Sequence, residues 1–291
     1  YNSIIDQFGD RFTIKHIEIS DKFDSIIKQL VEIVNLNPRL IIISEYNPDS
    51  VGVNYLSNKI WNELKILIPS TKILICGWDT LSSGWWRQIN HQNFASAILL
   101  GDNPLQKYKK SNKTYPPIYR ITCDIYRKDF KISAIHQRAF DIWFVGQVGS
   151  YRLKRLEYLQ ALEQFKTKKF IYSSTSRSNQ ISHKEYLDTL DNSKIAINFS
   201  KSHAFEQIKG RVWDIFNSGT FLLEEKNVQT SYFFKPGIDY WEFSDPEELI
   251  DKIKYLLANP EIICKVASNG RKKFLSLKLD YSVANIISSF L

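Results

Sequence analysis

Short apolar runs alternate with longer amphipathic segments along most of the chain. The apolar runs are four or five residues long and carry few polar positions, as is typical of parallel strands that are covered on both faces of a sheet. The alternation therefore predicts an α/β fold. The predicted strands are Leu40–Ser44, Lys72–Cys76, Ser96–Leu100, Ile118–Thr122, Asp141–Val145, Lys169–Tyr172, Ile195–Phe199 and Thr220–Leu223.

Helical spacing of apolar residues marks the segments between these strands. In Arg152–Phe165 the leucines at 153, 156, 159 and 162 are predicted to share one buried face. Asp245 is placed as the N-cap of Pro246–Ala258, because proline and two glutamates follow it in the first turn. The other predicted helices are Phe23–Val34, Tyr55–Leu67, His183–Asn192, Gly210–Asn217, Ile262–Leu275 and Ser282–Phe290.

The alternation pauses near residues 127–139 and then restarts, and a chain of 291 residues is long enough for two domains. We predict two facing Rossmann-like domains, residues 1–135 and 136–291, with the last helix packing back on the first domain. The cleft between them is the expected ligand site, because such sheets bind beyond the carboxyl ends of their strands. The chain opens on a helix-like pattern, Ile4–Phe8, before the strand-like Phe12–Ile19, which indicates that a first strand is missing.

Composition narrows the classes of partner. The net charge of +8 fits either a solvated basic surface or peripheral attraction to an anionic membrane or acceptor. No nucleic-acid-binding motif accompanies the charge, so we expect no nucleic acid. No apolar run approaches the ~20 residues of a membrane span. The three cysteines and five histidines are scattered without metal-ligand spacing, which predicts a cytoplasmic protein without a zinc site.

Candidate chemistry concentrates in Phe205–Glu225, which reads FEQIKGRVWDIFNSGTFLLEE. Glu206 and Asp214 stand eight residues apart around the start of a predicted helix. A helix N-terminus offers free N–H groups and a positive dipole end to a diphosphate, and carboxylates accept hydrogen bonds from sugar hydroxyls. Lys209 and Arg211 add positive charge for phosphates. The segment predicts a nucleotide-sugar site. Solvent-exposed acidic and basic residues on the surface of an amphipathic helix would produce the same sequence pattern.

Other small or polar residues of the second half follow predicted strand ends and are candidate donor ligands. They are Gly146, Arg152, Asn198, Ser200, His203 and Gly210. Arg152 and Arg155 lie on the first turns of one predicted helix, where either of them faces the cleft or both are surface charges. Gly146 ends a strand, where a turn alone would also favour glycine.

In the first half, Asp79 follows the strand Lys72–Cys76 at its carboxyl end. A carboxylate there suits a general base or a group that orients an acceptor hydroxyl, although it also suits a turn. Trp85 and Trp86 offer aromatic faces that suit a pyranose ring, or else they pack in the core. We assign these three residues to an acceptor site.

Five segments of the second half resemble the CgeB/YkvP-type family of glycosyltransferase-like proteins, named after spore-coat proteins. They are FDIWFVGQVGSYRLKRLEYLQAL, DTLDNSKIAINFS, IKGRVWDIFNSGTFLLEE, FFKPGIDYWEFSDPEELIDKIKYLLANPE and SNGRKKFLS. The first half matches only through the short runs CGWDT, GDNP and YKK. The resemblance implies a GT-B fold, with a nucleotide-sugar donor in the C-terminal domain and an acceptor in the N-terminal domain.

The C-terminal half also resembles family-4 and family-1 type glycosyltransferases. The two acids are similar to the pair in retaining GT-B enzymes of the family-4 type, in which seven residues separate the acids and a glycine follows further on. Gly219 matches that glycine. This similarity implies that Glu206 addresses the transferred sugar and Asp214 the ribose. Here the second acid is Asp, one methylene shorter than the usual Glu, and Gln207, Ile208 and Lys209 replace small residues.

The resemblance thus implies a hexosyltransferase-like enzyme that uses a UDP- or GDP-sugar. The sequence contains no Asp-x-Asp metal motif, so we expect neither a divalent metal nor another cofactor. The two-acid spacing favours retention, and Asp79 is the predicted base if the enzyme inverts. The acceptor is a glycan, a protein or a lipid-linked saccharide. Two alternatives stay open at this point: a nucleotide-sugar epimerase of the same fold, and a non-catalytic coat or scaffold protein that keeps it.

Overall fold

The structure is a computed structural model that describes residues 10, 12–17, 23–43, 58–77, 94–100, 116–121, 133–148, 153–174, 181–199, 208–280 and 283–291. Contacts divide the chain into two compact units: Tyr1–Thr122 together with Tyr281–Leu291, and Cys123–Asp280. The domain limits predicted from the sequence, 1–135 and 136–291, stay a prediction. The predicted opening helix Ile4–Phe8 lies outside the described residues.

The first unit is built on a parallel sheet of four described strands in the order β1-β2-β3-β4. Residues 12–17, within the segment predicted to be strand-like, form no strand, but Phe12 and Ile14 pack against the sheet. Ile287 near the end of the chain is buried with Leu74 and Leu99 of the same sheet. The elements are α1 (Phe23–Leu36), β1 (Leu40–Ile43), α2 (Asn58–Leu67), β2 (Lys72–Gly77), β3 (Ala97–Leu100), β4 (Ile118–Arg120) and, after the second unit, α9 (Val283–Ser288).

The second unit has a parallel five-stranded sheet in the order β6-β5-β7-β8-β9. Its strand order reverses at β5, which lies between β6 and β7, so the carboxyl ends of β5 and β7 form a topological switch point. The elements are β5 (Phe140–Gln147), α3 (Leu153–Gln164), β6 (Lys169–Ser174), α4 (His183–Asp191), β7 (Ser193–Asn198), α5 (Gly210–Ser218), β8 (Phe221–Glu225), α6 (Val228–Phe233), β9 (Trp241–Phe243), α7 (Pro246–Ala258) and α8 (Pro260–Asp280).

One α-helix, one strand and the short 3-10 helix Ile135–Gln137 of the second unit were not predicted. Helix α6 has only six residues, and its N-cap is Asn227, whose side chain accepts a hydrogen bond from the backbone of Gln229. Strand β9 has three residues, with Glu242 between two aromatic residues. All three elements are too short for an apolar period to show above the background of the sequence.

Helix α3 buries only part of the face that its leucines suggested. Leu159 and Leu162 are buried as predicted, together with Arg155 and Tyr158, whereas Leu156 is 37% exposed. The prediction was wrong at Leu156 for a geometric reason: a helix has 3.6 residues per turn, so residues spaced by three drift steadily around the axis. The buried set follows the spacing i, i+3, i+4, i+7 instead, with an arginine in the position of an apolar residue.

Arg138 fixes the amino-terminal edge of the same sheet. Its guanidinium is buried and donates to the carbonyl oxygens of Ser193 at 2.9 Å and Ser218 at 2.9 Å, and to Thr220 Oγ1 at 2.6 Å. Burial lowers the pKa of Arg138 to about 10, which still leaves the side chain charged at neutral pH. The contacts tie the start of β7 to the end of α5.

Helix α8 packs closely on α5 through a glycine. A Cβ atom on Gly270 would lie 2.4 Å from the carbonyl oxygen of Asp239 and 2.6 Å from Phe216 Cε1. Phe216 is itself 1% exposed and lies in α5, so neither neighbour is the far end of a flexible side chain. We expect Gly270→Ala to lower the free energy of unfolding by about 1–3 kcal/mol through overpacking, although alanine favours a helix.

Urea denaturation measures this loss, and Ser268→Ala provides the matched control, because residue 268 lies in α8 and is exposed. The control should change stability by less than about 0.5 kcal/mol. Equal stability of Gly270→Ala and the wild type would show that α8 does not approach α5 as closely as described.

Candidate functional site

The carboxyl ends of β5 and β7 are held together by one buried arginine. Arg155 of α3 is 6% exposed and donates from Nη1 to the carbonyl oxygen of Gln147 at 2.6 Å and from Nη2 to that of Phe199 at 3.0 Å. Its guanidinium carbon also lies 5.9 Å and 5.3 Å from the ring centroids of Phe144 and Phe199. The alternative that Arg155 is a surface charge is therefore wrong, since the side chain fixes the switch point from inside.

Helix α5 begins at this same edge, because it follows β7. The N-cap of α5 is Lys209, which has an extended backbone conformation and precedes the first helical residue, Gly210. A lysine side chain has no hydrogen-bond acceptor, so it cannot cap the helix. The first turn contains no acidic residue. By contrast, Ser182 caps α4 and Asp245 caps α7 with side-chain oxygens. The N-terminus of α5 thus has a lysine at its N-cap in place of a capping oxygen and an arginine in its first turn, a combination that suits an anion.

Arg211 reaches from the first turn of α5 across the end of β5. Its guanidinium carbon lies 5.4 Å from the centroid of the Phe144 ring. A Cβ atom on Gly146 would stand 3.1 Å from Arg211 Nη1 and 2.9 Å from Phe144 Cζ. Gly146 belongs to the strand rather than to a turn, so the close approach of Phe144 and Arg211, not backbone conformation, accounts for glycine at this position.

Asp214 lies one turn further along α5 and is only 6% exposed. Its Oδ2 atom accepts a hydrogen bond of 2.9 Å from the hydroxyl of Tyr186, which lies in the first turn of α4. The alternative that Asp214 occupies a solvated helix surface is therefore wrong. The carboxylate lies inside the layer that α4 and α5 form over the sheet.

Asn198 ends β7 and is fully buried. Its Nδ2 atom donates to Glu224 Oε1 at 2.7 Å, and Glu224 is its register partner in β8 and is buried as well. Glu242 in β9 continues this row and accepts a hydrogen bond of 2.8 Å from the hydroxyl of Tyr240. Burial, followed by the bond to Glu242, raises the pKa of Tyr240 well above its ordinary value. Asn198 thus belongs to a buried polar row beneath the edge.

The structure brings Gly146, Arg211 and Phe144 into contact, and places Asn198, Lys209, Gly210 and Asp214 at the same edge of the second sheet. The other candidates lie outside the described residues: Asp79, Trp85, Trp86, Arg152, Ser200, His203 and Glu206. Among the residues that the structure describes, no group of three His, Cys, Asp or Glu side chains is arranged to hold a metal ion. No described helix is both long enough and apolar enough to span a membrane.

Sequence reasoning missed Tyr186 and Glu224 and weighed the role of Arg155 wrongly. No sequence pattern indicated a role for Tyr186, because an aromatic residue in an amphipathic helix is usually interpreted as part of the hydrophobic core. The sequence pattern around Glu224 did contain an indication that could have been used. A carboxylate inside the apolar run Phe221–Glu225 needs a hydrogen-bond or charged partner when the strand is covered on both faces. Arg155 lies four residues before Leu159, so a strict helical period would have assigned both residues to the buried face.

Two parallel sheets with helices between their strands give the α/β architecture of the GT-B fold, as predicted. The chain belongs to the family described as glycosyl transferase-like, whose sequence model matches residues 129–287, more than half of the chain. No curated protein sequence matches the chain.

Several solved structures share this fold. The crystal structure of Anabaena HepE in complex with UDP and glucose is similar with a TM-score of 0.61 and 11% identity, covering 99% of this chain and 89% of that one. Sucrose-phosphate synthase from Thermosynechococcus elongatus is similar with a TM-score of 0.58 and 12% identity, over 92% and 79% of the two chains. A mutant BGT of T4 phage in complex with UDP-glucose gives 0.54 and 12%, over 90% and 85%. At these identities the likeness shows the fold.

The bridge formed by Arg155 leads to a prediction about the edge that carries the site. We expect Arg155→Met to lower the free energy of unfolding by about 2–4 kcal/mol. Methionine keeps much of the apolar stem but leaves two carbonyl oxygens at the ends of β5 and β7 without their charged donor. Lys154→Met is the matched control, because Lys154 precedes it in α3 and is exposed.

Chemical denaturation of both variants at one salt concentration makes the comparison. If Arg155→Met were as stable as Lys154→Met, the switch point would not depend on this bridge.

Proposed function

We propose that the protein is a glycosyltransferase that moves a sugar from a nucleotide-sugar to an acceptor. The observation that carries the proposal is the start of α5, where Lys209, Arg211 and the buried Asp214 lie within two turns of helix and the N-cap side chain is cationic instead of a capping oxygen. Cationic groups at a helix N-terminus suit a diphosphate, and a carboxylate suits hydroxyls. Membership of the glycosyl transferase-like family supports the same substrate class.

The proposed chemistry separates charge between an oxocarbenium-like sugar and a departing nucleoside diphosphate. Groups that already point at the leaving oxygens lower this barrier without reorganising during the reaction. Arg211 is suited to this task, because its guanidinium is held against Phe144 and Gly146 before any ligand binds. Lys209 and the amides of residues 209–211 would hold the phosphates, and Gly210 keeps the approach free of a side chain.

The remaining roles follow the resemblance of the two acids to retaining enzymes. Glu206 would position the transferred sugar and Asp214 the nucleoside, with retention of configuration. In an inverting reaction, Asp79 would be the base. Ser200 and His203 would line the donor site together with Arg152, and Trp85 and Trp86 would stack on the acceptor. The reaction we propose requires no divalent metal, because the cationic residues and the helix amides take the charge of the leaving group.

Within the family we place the chain in the CgeB/YkvP-type group, on the five segments quoted above. UDP-hexoses are the first donors to test, since HepE and BGT, which share the fold, are described with UDP and glucose or with UDP-glucose. The acceptor we propose is a glycan, a protein or a lipid-linked saccharide. The net charge of +8 would draw a cytoplasmic protein to an anionic membrane surface that carries such an acceptor.

A panel of nucleotides and nucleotide-sugars tests the proposal. A ligand present at 100 times its dissociation constant should stabilise the protein by ~2.7 kcal/mol, which a thermal-shift assay detects readily. UDP-sugars and UDP should raise the melting temperature, and the stabilising sugar should then be released or transferred. Failure of every nucleotide to bind would overturn the proposal and leave a scaffold protein that keeps the fold.

A double substitution examines phosphate recognition. In the Lys209→Ala, Arg211→Ala variant we expect the preference for a nucleoside diphosphate over the free nucleoside to collapse. Each charge-assisted contact contributes on the order of 1.5–3 kcal/mol to the diphosphate and nothing to the nucleoside. Isothermal calorimetry with UDP and uridine gives both affinities.

Lys265→Ala, Lys272→Ala is the matched control, because it removes the same charge from exposed positions of α8. Its preference for the diphosphate should equal that of the wild type at the same ionic strength. If both double variants lost the same affinity for UDP, general attraction by the basic surface, and not the start of α5, would bind the phosphates.

A further inference from the structure

Helices α4 and α5 bring their first turns to the same edge of the second sheet. Each precedes a strand of the parallel sheet, β7 or β8, so each runs antiparallel to the strands and begins at their carboxyl ends. Tyr186 in α4 and Asp214 in α5 meet there through the 2.9 Å hydrogen bond from the phenol to Oδ2. The contact joins two helices that are 28 residues apart at this point of the chain.

Tyr186 is held firmly from two sides. The edge of its ring meets Trp143 of β5 at a centroid distance of 5.2 Å and an interplanar angle of 72°. The ring of His183 lies nearly parallel to it, at 6.2 Å and 11°. Trp143 is fixed in turn by a 3.0 Å hydrogen bond to Thr189 Oγ1. The hydroxyl of Tyr186 therefore has little freedom except to meet the carboxylate of Asp214.

We propose that Tyr186 is a positioning residue for recognition of the ribose, acting through Asp214; this rests on the proposed function. The phenol fixes the plane of the carboxylate by donating to Oδ2. A carboxylate oxygen has two lone pairs, so Oδ2 can accept from Tyr186 and from a ribose hydroxyl together. The ligand class is a nucleotide with an intact 2′,3′-diol, and the pair discriminates against nucleotides that lack it.

The shorter side chain at position 214 gives this pairing its significance. An aspartate has one methylene less than a glutamate, so its carboxylate stays close to α5, and the torsion of the carboxylate about its own bond is broad. A fixed donor from the neighbouring helix removes that freedom before the ligand arrives, and recognition by ordered groups loses less entropy on binding. By orienting the carboxylate of Asp214, Tyr186 would thus compensate for the shorter side chain at this position.

The test compares two ligands in two variants. For the wild type, calorimetry should give weaker binding of 2′,3′-dideoxy-UDP than of UDP. In Tyr186→Phe we expect this ratio of dissociation constants to fall roughly tenfold, as for the loss of a hydrogen bond to a charged group. Tyr158→Phe is the matched control, because it removes a phenol that donates to the carbonyl oxygen of Ser244 at 2.8 Å, away from Asp214. Its ratio should match that of the wild type.

The Asp214→Asn background completes a double-mutant cycle. If Tyr186 acts through Asp214, adding Tyr186→Phe to Asp214→Asn should change the ratio of the two dissociation constants by less than twofold. An equal loss of affinity for UDP and dideoxy-UDP in Tyr186→Phe would overturn the inference and show that the pair only joins α4 to α5. Should Tyr186→Phe not fold, an unchanged ratio in Asp214→Asn would overturn it as well. If the wild type bound no nucleotide of the panel, that result would instead refute the proposed function; if it bound another nucleotide in place of UDP, the same comparison would use that nucleotide and its 2′,3′-dideoxy form.

Discussion

The placement of helix α5 is the constraint on which the candidate site depends. All residues from Val212 to Ser218 are buried, so the helix is held along most of its length. Its carboxyl end is closed by Gly219 in the left-handed conformation, with the bond from Thr220 N to the carbonyl oxygen of Ile215 that completes a Schellman motif. Two arginines then bind the last carbonyls: Arg271 that of Asn217 and Arg138 that of Ser218. Positive charge at this end is favourable to the helix dipole.

The two ends of α5 differ in what holds them. The carboxyl end and the buried face supply the packing, and the opposite end carries Lys209 and Arg211 and is the anion site that we propose. A side-chain oxygen at the N-cap would lie where we propose that an anion binds. Because α5 is secured elsewhere, its first turn can carry Lys209, Gly210 and Arg211 without a capping side chain at the N-cap. The contacts along the rest of the helix offset the stability that such a cap would add.

Buried arginines that bind backbone carbonyls fix both edges of the second sheet. Arg138 holds the amino-terminal edge through Ser193, and Arg155 holds the carboxyl edge through Gln147 and Phe199. A guanidinium has five donors in a planar fork, so one side chain can join two strand ends that no hydrogen bond of the sheet connects. At the carboxyl edge this matters more, because the same strand ends support Gly146 and the approach of Arg211.

Elements that a local pattern encodes could be predicted from the sequence, and contacts between distant segments could not. Strands such as β7 and β8 can be recognised by apolar residues on both faces, and α7 can be recognised by its capping residues. Gly219 was placed correctly because a helix end with a glycine is a local signal. The partners of Arg155 and Asp214 are different in kind, because Phe199 and Tyr186 lie 44 and 28 residues away and their proximity exists only in the folded sheet.

The position of Asp214 shows why such contacts decide the chemistry of a site. Its spacing from Glu206 indicates a ligand-binding acid, and its burial could as well indicate a structural one, so neither observation alone identifies its role. A buried carboxylate is stable only if hydrogen bonds replace the water it loses, and the Tyr186 hydroxyl provides one of them. That bond orients the aspartate side chain near the start of α5. Under the function that we propose, a carboxylate ordered in this way can meet the hydroxyls of a nucleotide with less loss of conformational entropy than a mobile one.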